Sequence, residues 1–533
     1  MTPMQALLAI LRDEGVDRIF GNPGTTELPF LDALAGAPDL EYVLAVQEAS
    51  AVAMADGYAR ATRRTAFVNL HVAAGLANGL IGMLNARRSR VPMVVTAGQQ
   101  DRRHLVEDPM LAGDLVGLAT AASKLAVEVQ HARDLPVVLR RAFALAARPP
   151  AGPVFVSIPM DLLRDDTDVV VPARSPLTPL GPATGLDEAV SILAGAERPA
   201  VVAGDGVGRD AAVAELVTLA ERLNATVYHQ PMHDRVNFPF THPLHAGMLA
   251  PRNAAVRKAL SGHDVVLVVG SHAFSPHHYT PEPPIPDGTR VVQLDDDPAE
   301  LGRNFAVEVG LTGGIRVTLA ELAGRTRARA GRPVKAEART RTRRGAAQAA
   351  PLDPAAAASA IVEALPADAV VVDEAITIGV LLRPLLRLDR PDSFVHTVGG
   401  GLGWGIGAAI GTRLGQGRPV VAVLGDGCAM FGLQGLWSAA RYRVPVTFLV
   451  MSNGEYRTLK ETLAESGGHG PHPGLDLALP GADRLDWPAA AGFFGVAATR
   501  VASAAELRAV VAGAADLDAP LLVDVPIVSR RGS

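Results

Sequence analysis

Short apolar runs, often rich in β-branched residues, recur along this chain and alternate with stretches whose apolar residues follow a helical period. In the first hundred residues such strand-like runs lie at 41–46 (EYVLAV), 65–72 (TAFVNLHV) and 92–98 (PMVVTAG). Alternation at this spacing is typical of parallel sheets that are covered by helices on both faces. Because the pattern continues almost to the C-terminus, it predicts an α/β protein made of doubly wound parallel-sheet domains.

The chain is too long for one hydrophobic core, and its 533 residues divide into three predicted domains. The expected limits are 1–180 for an N-terminal domain, 185–324 for a central domain and 353–533 for a C-terminal domain. A proline-rich segment separates the first two. Residues 325–352 are rich in Arg and Ala, and they contain no aromatic residue for base stacking. We therefore interpret them as an interdomain linker rather than a nucleic-acid-binding arm.

Composition excludes several classes of protein. Hydrophobic residues make up 48% of the chain and charged residues 20%, as in a packed globular enzyme. The net charge of −5 gives no reason to expect nucleic acid as a partner. No run approaches 18 apolar residues, and the N-terminus is unlike a signal peptide. Cys428 is the single cysteine, which fits a reducing compartment. We expect a cytoplasmic enzyme without membrane contacts.

Two neighbouring strand ends carry oxygen ligands. Asp426 follows the run PVVAVLG, and Asn453 follows the run PVTFLVMS, 27 residues further on. That spacing leaves room for one helix and one strand, so the two residues are expected to meet at the carboxyl edge of one sheet. Carboxylate and amide oxygens suit Mg²⁺, which usually keeps phosphate oxygens in its shell. Gly427 and the N–H groups of Cys428 and Ala429 would face such a phosphate.

A rival interpretation rests on residues 403–408, which read G-W-G-I-G-A and match the dinucleotide-binding pattern G-x-G-x-x-A. Asp426 lies 23 residues after Gly403, close to where such folds place their ribose-binding acid. An NAD-linked oxidoreductase is therefore an alternative. It leaves Asn453 and the whole N-terminal third without a role.

Motifs in both halves of the chain carry a resemblance to a known family. They are GNPGTTELPFL (21–31), QEASAVAMADGYA (47–59), NLHVAAG (69–75), GGLGWGIGAAIG (400–411) and the elements GDG and SNGEY (452–456). In this order the chain resembles the thiamine-diphosphate-dependent decarboxylase superfamily, and within it the benzoylformate decarboxylases. The resemblance implies that the three domains are a pyrimidine-binding, a central and a diphosphate-binding domain.

The resemblance also implies the cofactors and the assembly. Thiamine diphosphate would be held through Mg²⁺, whose protein ligands would be Asp426, Asn453 and the main-chain oxygen of Glu455. The pyrimidine ring of the cofactor would lie against the N-terminal domain of a second subunit. At least a dimer is then required, and a homotetramer (a dimer of dimers) with active sites at subunit interfaces is expected.

Several residues match positions that contact the cofactor in this superfamily. Glu48 matches the glutamate that hydrogen-bonds a nitrogen of the pyrimidine ring, where a carboxylate favours the imino tautomer. Leu402 matches the apolar residue that bends the cofactor. The other expected cofactor contacts are Pro23, Gly24, Thr377, Gly401, Gly425, Gly427, Cys428, Ala429 and Tyr456.

Substrate-side positions follow from the same resemblance. His71 and His277 align with proton-transferring histidines, for which an unperturbed pKa of roughly 6.5 is suitable. The neighbouring His278 makes an alignment shift of one position a competing assignment. Thr25 stands where benzoylformate decarboxylases carry a serine that touches the substrate carboxylate.

The segment after SNGEY departs from the family pattern. Thr458, Glu461 and Thr462 replace small or aromatic pocket residues, and Ser452 stands where many relatives have a second asparagine. We predict non-oxidative decarboxylation of a 2-keto acid to an aldehyde and CO₂, with benzoylformate as the first candidate substrate. The alternatives are an acetolactate-synthase-like carboligase, the NAD-linked oxidoreductase and a catalytically silent homologue that still binds the cofactor.

Overall fold

The computed structural model describes residues 1–272, 274–329, 349–468, 470 and 472–529. The described residues fall into two compact units. The first comprises those within Met1–Leu177, Arg344–Leu381 and Thr397–Ser533, and the second those within Thr178–Arg343 and Leu382–His396. Most of the predicted linker, residues 330–348, lies outside the described part of the chain.

The N-terminal region forms a parallel six-stranded sheet in the order β2-β1-β3-β4-β6-β5. Its strands are β1 (Arg18–Gly21), β2 (Glu41–Leu44), β3 (Ala66–Leu70), β4 (Met93–Gln99), β5 (Ala126–Glu128) and β6 (Pro153–Pro159). Its helices are α1 (Pro3–Asp13), α2 (Leu28–Ala35), α3 (Glu48–Thr62), α4 (Val72–Arg88), α5 (Leu115–Thr120), α6 (Leu135–Ala147) and α7 (Met160–Leu163). Strands β3, β4 and β6 are buried along their whole length, as expected for strands covered on both faces.

The central region forms a second parallel sheet in the order β12-β11-β10-β7-β8-β9. Its strands are β7 (Pro199–Ala203), β8 (Thr226–His229), β9 (His245–Met248), β10 (Val265–Val269), β11 (Arg290–Asp295) and β12 (Val309–Thr312). Its helices are α8 (Leu186–Gly195), α9 (Asp205–Arg209), α10 (Val213–Leu223), α11 (Asn253–Leu260) and α12 (Ile315–Arg325). Two apolar clusters, one on each face of the sheet, form its core.

The C-terminal region forms a third sheet in the order β14-β13-β15-β16-β18-β17. Its strands are β13 (Val370–Glu374), β14 (Phe394–His396), β15 (Val420–Gly425), β16 (Val446–Ser452), β17 (Ala497–Arg500) and β18 (Leu521–Pro526). Its helices are α13 (Pro354–Ala364), α14 (Ile376–Leu382), α15 (Trp404–Gly415), α16 (Asp426–Phe431), α17 (Gly435–Arg441), α18 (Arg457–Glu465), α19 (Trp487–Phe493) and α20 (Ala504–Ala512). This order repeats that of the first sheet strand for strand, with β13 in the place of β1.

Helices α3 and α15, which occupy equivalent positions in these two repeats, pack directly on each other. A methyl group placed on Gly407 would meet Ala53 Cβ at 2.7 Å, and one placed on Gly411 would overlap the main chain of Met54. Gly407 and Gly411 therefore permit close packing of these two helices.

The prediction of doubly wound α/β domains is confirmed, whereas four strands were missed. They are β5, β9, β12 and β17, and all four lie at an end of their sheet. Each is only partly buried, so none presents a continuous apolar run. The predicted domain limits stay predictions. Among the described residues, no helix is long and apolar enough to cross a membrane.

Candidate active site

The ends of β15 and β16 bring Asp426 and Asn453 together. The two strands are neighbours, with Gly425 paired to Met451 at their last aligned position. The Asp426 carboxylate accepts hydrogen bonds from the main-chain N–H groups of Asn453 (2.9 Å) and Gly454 (2.7 Å) through Oδ2. Its Oδ1 accepts from the N–H of Gly427 at 2.8 Å. The carboxylate thus fixes the turn that follows β16.

This turn gathers the oxygen donors that the sequence predicts as metal ligands. Asp426 is 4% exposed, and burial raises the pKa of its carboxyl group, although the three backbone N–H donors lower it. A divalent cation would supply the positive charge that a buried carboxylate needs. Asn453 Oδ1 accepts from the N–H of Glu455 at 3.0 Å, which orients the amide oxygen within the turn. The donor set consists of hard oxygens and fits Mg²⁺.

The side chain of Glu455 forms an ion pair within the domain. Its carboxylate is buried and pairs with Lys460 Nζ at 2.7 Å, and Lys460 also reaches Asp476 at 2.6 Å. Glu455 would therefore serve a metal through its main-chain oxygen. In the part of the chain that the structure describes, no group of three or more His, Cys, Asp or Glu side chains is placed to hold a metal. A site with one carboxylate, one amide and one carbonyl would not form such a group.

The main chain at the start of α16 leaves little room for a side chain. Gly425 precedes the helix, and a methyl group placed on Gly427 would meet the Tyr456 ring at 2.9 Å. Cys428 and Ala429 are buried in the first turn, and burial raises the pKa of the Cys428 thiol, which stays protonated near neutral pH. The glycine-containing main chain at the start of α16 lies next to the buried Asp426 carboxylate. This arrangement is compatible with the binding of a metal-bound diphosphate.

Leu402 lies in a glycine-rich segment that ends at the start of α15. Glu374, at the end of β13, accepts hydrogen bonds from the N–H groups of Trp404 (3.0 Å) and Gly405 (2.8 Å). Burial raises the pKa of Glu374 to about 8 against the effect of these donors. Near Glu374, Thr377 Oγ1 lies 3.0 Å from Thr458 Oγ1, so a predicted cofactor contact touches a predicted pocket residue.

Glu48 is the first residue of α3 and is 7% exposed. Its Oε1 accepts from Asn22 Nδ2 and its Oε2 from Asn78 Nδ2, both at 3.0 Å. These two amides fix the plane of the carboxylate. Neither amide is predicted from the sequence, although Asn22 follows β1 directly and Asn78 lies two helical turns after His71.

His71 precedes α4 and contacts a buried glutamate that the sequence analysis also missed. Its Nδ1 lies 2.8 Å from Glu27 Oε2 and 3.2 Å from Thr26 Oγ1. Glu27 is 1% exposed and also accepts from the Thr26 hydroxyl (2.6 Å) and from the N–H groups of Gly24 (2.9 Å) and Gly98 (2.8 Å). Because the Glu27 carboxylate accepts from three other donors and has no proton to give, we assign the proton of this contact to His71 Nδ1.

The structure places the remaining N-terminal candidates around this pair. Gly75 lies between the two predicted functional side chains, because a methyl group there would meet Glu48 Oε1 at 3.1 Å and His71 Cβ at 3.5 Å. Pro23 and Gly24 are half-buried, and Thr25 is exposed. The hydroxyl that contacts His71 belongs to Thr26.

His277 lies in the second compact unit, after β10. It is exposed, its N–H donates to the main-chain oxygen of Pro251 at 2.8 Å, and its Nδ1 lies 3.2 Å from His278 Nε2. Both rings occupy the same loop, so the choice between His277 and His278 stays a prediction.

Taken together, two copies of one α/β sheet carry complementary sites. One copy presents a fixed carboxylate beside a histidine, and the other presents hard oxygen donors beside bare backbone. This combination fits an α/β enzyme that uses a cofactor with a diphosphate end. The chain belongs to the thiamine pyrophosphate enzyme family: its N-terminal TPP-binding domain matches residues 1–117, its central domain residues 186–322 and its C-terminal TPP-binding domain residues 378–525.

Individual relatives agree with this assignment. The chain is 36% identical to benzoylformate decarboxylase of Pseudomonas aeruginosa, over 98% of each protein. Its fold is similar to that of the thiamine diphosphate-dependent 4-hydroxybenzoylformate decarboxylase of Rhodococcus jostii RHA1, with a TM-score of 0.93, 32% identity and 100% of each chain covered. It is also 29% identical to an acetolactate synthase large subunit of Parasynechococcus marenigrum, over 99% of this chain and 87% of that protein.

Proposed function

We propose that this protein decarboxylates a 2-keto acid to an aldehyde and CO₂ with thiamine diphosphate and Mg²⁺, and that benzoylformate is its first candidate substrate. One observation carries the proposal: Glu48, held by two amides, lies beside a His71–Glu27 pair in the domain that the family uses for cofactor binding. The whole-length similarity to benzoylformate decarboxylase supports this choice of substrate.

The C-terminal domain holds the metal and the diphosphate in this proposal. Asp426, Asn453 and the main-chain oxygen of Glu455 would bind Mg²⁺, and the first turn of α16 would contribute backbone N–H groups to the diphosphate. Leu402 supports the cofactor from the end of its glycine-rich segment. When bound, thiamine diphosphate supplies the electron sink that takes up the electron pair left behind by CO₂.

Glu48 holds a proton at the pyrimidine ring. Its carboxylate would accept a hydrogen bond from a ring nitrogen and would stabilise the proton on that nitrogen. Asn22 and Asn78 donate to its two oxygens, so the carboxylate is already oriented before the cofactor binds and loses little entropy on binding. Its position at the N-terminus of α3 places a carboxylate at the positive end of the helix dipole.

His71 transfers protons on the substrate side. Because Glu27 accepts the proton of Nδ1, Nε2 is the nitrogen that accepts or donates a proton during turnover. The anionic Glu27 stabilises the imidazolium when Nε2 is protonated. Thr25, exposed at the same turn, provides a hydroxyl for the substrate carboxylate, and His277 provides a second proton-transfer group.

The assembly follows from the family. The pyrimidine-binding face of one subunit is completed by the diphosphate-binding domain of a second copy, in a dimer or a dimer of dimers. The single buried Cys428 fits a cytoplasmic setting.

A second candidate function is carboligation, in which the product of decarboxylation is joined to another carbonyl compound. The polar residues after Tyr456 favour it over a phenyl-binding pocket. Glu461 pairs with Arg457 at 2.9 Å, and Thr458 contacts Thr377. Similarity to an acetolactate synthase large subunit is compatible with it.

Two measurements test the proposal. Native mass spectrometry of the purified protein is expected to show thiamine diphosphate, and bound NAD would refute the assignment. A panel of 2-keto acids is then supplied with and without an added aldehyde, and CO₂, aldehyde and ligated product are quantified. Release of CO₂ and aldehyde from benzoylformate supports decarboxylation, whereas product formed only with a second carbonyl compound supports carboligation.

Glu48→Gln tests the central residue. The amide can still hydrogen-bond the pyrimidine but cannot stabilise its protonated nitrogen, so kcat is expected to fall roughly 10²–10⁴-fold with modest loss of cofactor affinity. Exchange of the cofactor C2 proton for deuterium, measured by NMR after quenching, should slow in parallel. Glu188→Gln, at an exposed position of α8, is the control. Unchanged exchange in Glu48→Gln would contradict this role.

A further inference from the structure

Asn85, near the C-terminal end of α4, contacts the segment that carries Leu402. The side chain is 1% exposed. Its Nδ2 donates to the main-chain oxygen of Gly401, and its Oδ1 accepts from the N–H of the same residue, both at 2.9 Å. One amide side chain therefore satisfies both backbone groups of one residue, 316 positions away in sequence.

The shape of the segment agrees with this contact. A methyl group placed on Gly401 would meet Ile81 Cδ1 at 2.6 Å, and one placed on Gly399 would meet the Asn85 Cα at 2.5 Å. A Cα atom cannot relieve such a clash by a change of rotamer, as a side-chain atom can. Glycine at both positions lets the segment lie directly on α4.

The position of Asn85 on α4 is also informative. His71, Asn78 and Asn85 are spaced by seven residues, which is close to two full helical turns, so they lie along one face. The first contacts Glu27, the second contacts Glu48 and the third contacts Gly401. Each polar residue on this face thus holds an element that the proposed function uses.

We propose that Asn85 is a positioning residue that fixes the segment Gly399–Leu402 in the conformation that receives thiamine diphosphate. The inference rests on the proposed function, because Leu402 is the residue assigned to support the cofactor. Three consecutive glycines give a free segment many backbone conformations. The two hydrogen bonds to Gly401 select one of them, next to Leu402, before the cofactor arrives.

The first test uses the protein without cofactor. Hydrogen–deuterium exchange is followed in the peptide that contains Gly401, for the parent, Asn85→Ala and Ser89→Ala. Ser89 is a matched control because it is equally buried, caps the C-terminal end of the same helix and does not bond the segment. Loss of two hydrogen bonds is expected to speed exchange of the Gly401 amide roughly tenfold to hundredfold in Asn85→Ala. The control should leave it unchanged.

The second test measures binding and activation. The affinity for thiamine diphosphate with Mg²⁺ is expected to fall about tenfold in Asn85→Ala, and C2–H exchange of the bound cofactor should slow. Asn85→Asp keeps the acceptor and loses the donor, so its defect should be intermediate. Gly401→Ala leaves Asn85 intact but displaces the segment from Ile81, and it should reproduce the defect if Asn85→Ala fails to fold.

The proposal is overturned if the Gly401 amide exchanges at the parent rate in Asn85→Ala, or if Ser89→Ala shows the same change. It is also overturned if exchange accelerates while cofactor affinity and C2–H exchange stay at parent values, because Asn85 would then be merely structural. All these readouts are taken without a keto acid. A parent protein that binds the cofactor but decarboxylates no compound of the panel would refute the proposed function and leave this inference standing.

Discussion

The buried Glu27 carboxylate offers the most demanding test of the site. It accepts from four donors: the Thr26 hydroxyl and the Gly98 N–H at Oε1, and the Gly24 N–H and His71 Nδ1 at Oε2. Replacing Glu27 with Gln keeps the size of the side chain but turns one acceptor into an NH₂ donor. Whichever way the amide is turned, two of the four donors then face another donor.

Each orientation of the amide has a definite cost. If the NH₂ group faces Thr26 and Gly98, the threonine hydroxyl can rotate to accept, but the Gly98 N–H loses its partner. If it faces Gly24 and His71, the histidine can accept at Nδ1 by changing tautomer, but the Gly24 N–H is orphaned. One backbone N–H, that of buried Gly98 or of half-buried Gly24, is unsatisfied in either case, which should cost about 1–3 kcal/mol in the free energy of unfolding.

The kcat of the Glu27→Gln variant tests how this change affects proton transfer by His71. The change of tautomer would place the proton on Nε2 and remove its ability to accept one, and either orientation removes the anion that stabilises the imidazolium. We expect kcat for the 2-keto acid substrate to fall roughly 10²–10⁴-fold in Glu27→Gln, with cofactor affinity close to that of the parent.

The assay pairs denaturant unfolding of the cofactor-free protein with steady-state kinetics. Glu14→Gln is the control, because Glu14 is a largely buried carboxylate of the same domain that pairs with Arg140 and Arg174 rather than with His71. It should lose stability and keep kcat. If Glu27→Gln lost stability and kept kcat, Glu27 would have no part in orienting His71. If it lost neither, the hydrogen bonds described here would be wrong.

Further expected outcomes concern the metal site and the central unit. Asp426→Ala should lose both activity and cofactor retention, because the metal loses its carboxylate ligand; retention at the parent level, measured by mass spectrometry, would contradict the metal assignment. Dialysis of the parent against a chelator should release the cofactor, and added Mg²⁺ should restore binding; retention after metal removal would speak against a metal-bridged diphosphate. Burial lowers the pKa of His233 to about 3, aided by the charge of Arg383. As pH falls below the ordinary value of 6.5, the unfolded chain binds a proton that the folded unit does not, so stability should fall, by about 2 kcal/mol at pH 5. His233→Phe should show a smaller loss between pH 7 and pH 5 in thermal unfolding, and an equal loss would exclude His233 as the cause.

The sequence predicts the buried strands well and the edge strands poorly, for a physical reason. Strands such as β15 and β16 are covered on both faces. Their side chains therefore form continuous apolar runs that are recognisable in the sequence. Strand β17 has one neighbour and contains three exposed residues and one half-buried residue, so its sequence AATR carries little signal.

The same division applies to the candidate site. Asp426 and Asn453 could be placed together because the carboxyl ends of adjacent parallel strands meet at one edge. Glu27 could not be placed beside His71 in that way, because the contact depends on how a turn after β1 folds against the end of β3. Asn85 was missed for a similar reason: an asparagine inside an amphipathic helix gives no sign that its partner lies 316 residues away.

The internal repeat explains why the two halves of the site complement each other. Strand β3 of the first sheet corresponds to β15 of the third, and the residues that follow these strands are His71 and Asp426. The helices that follow β2 and β14 begin at Glu48 and, two residues after Leu402, at Trp404. Equivalent positions of one fold therefore carry the proposed proton-handling residues in one copy and the proposed metal- and cofactor-supporting residues in the other. Because α3 and α15 pack through small residues, a change that separates these helices should disturb both sets of residues together, even when it touches neither.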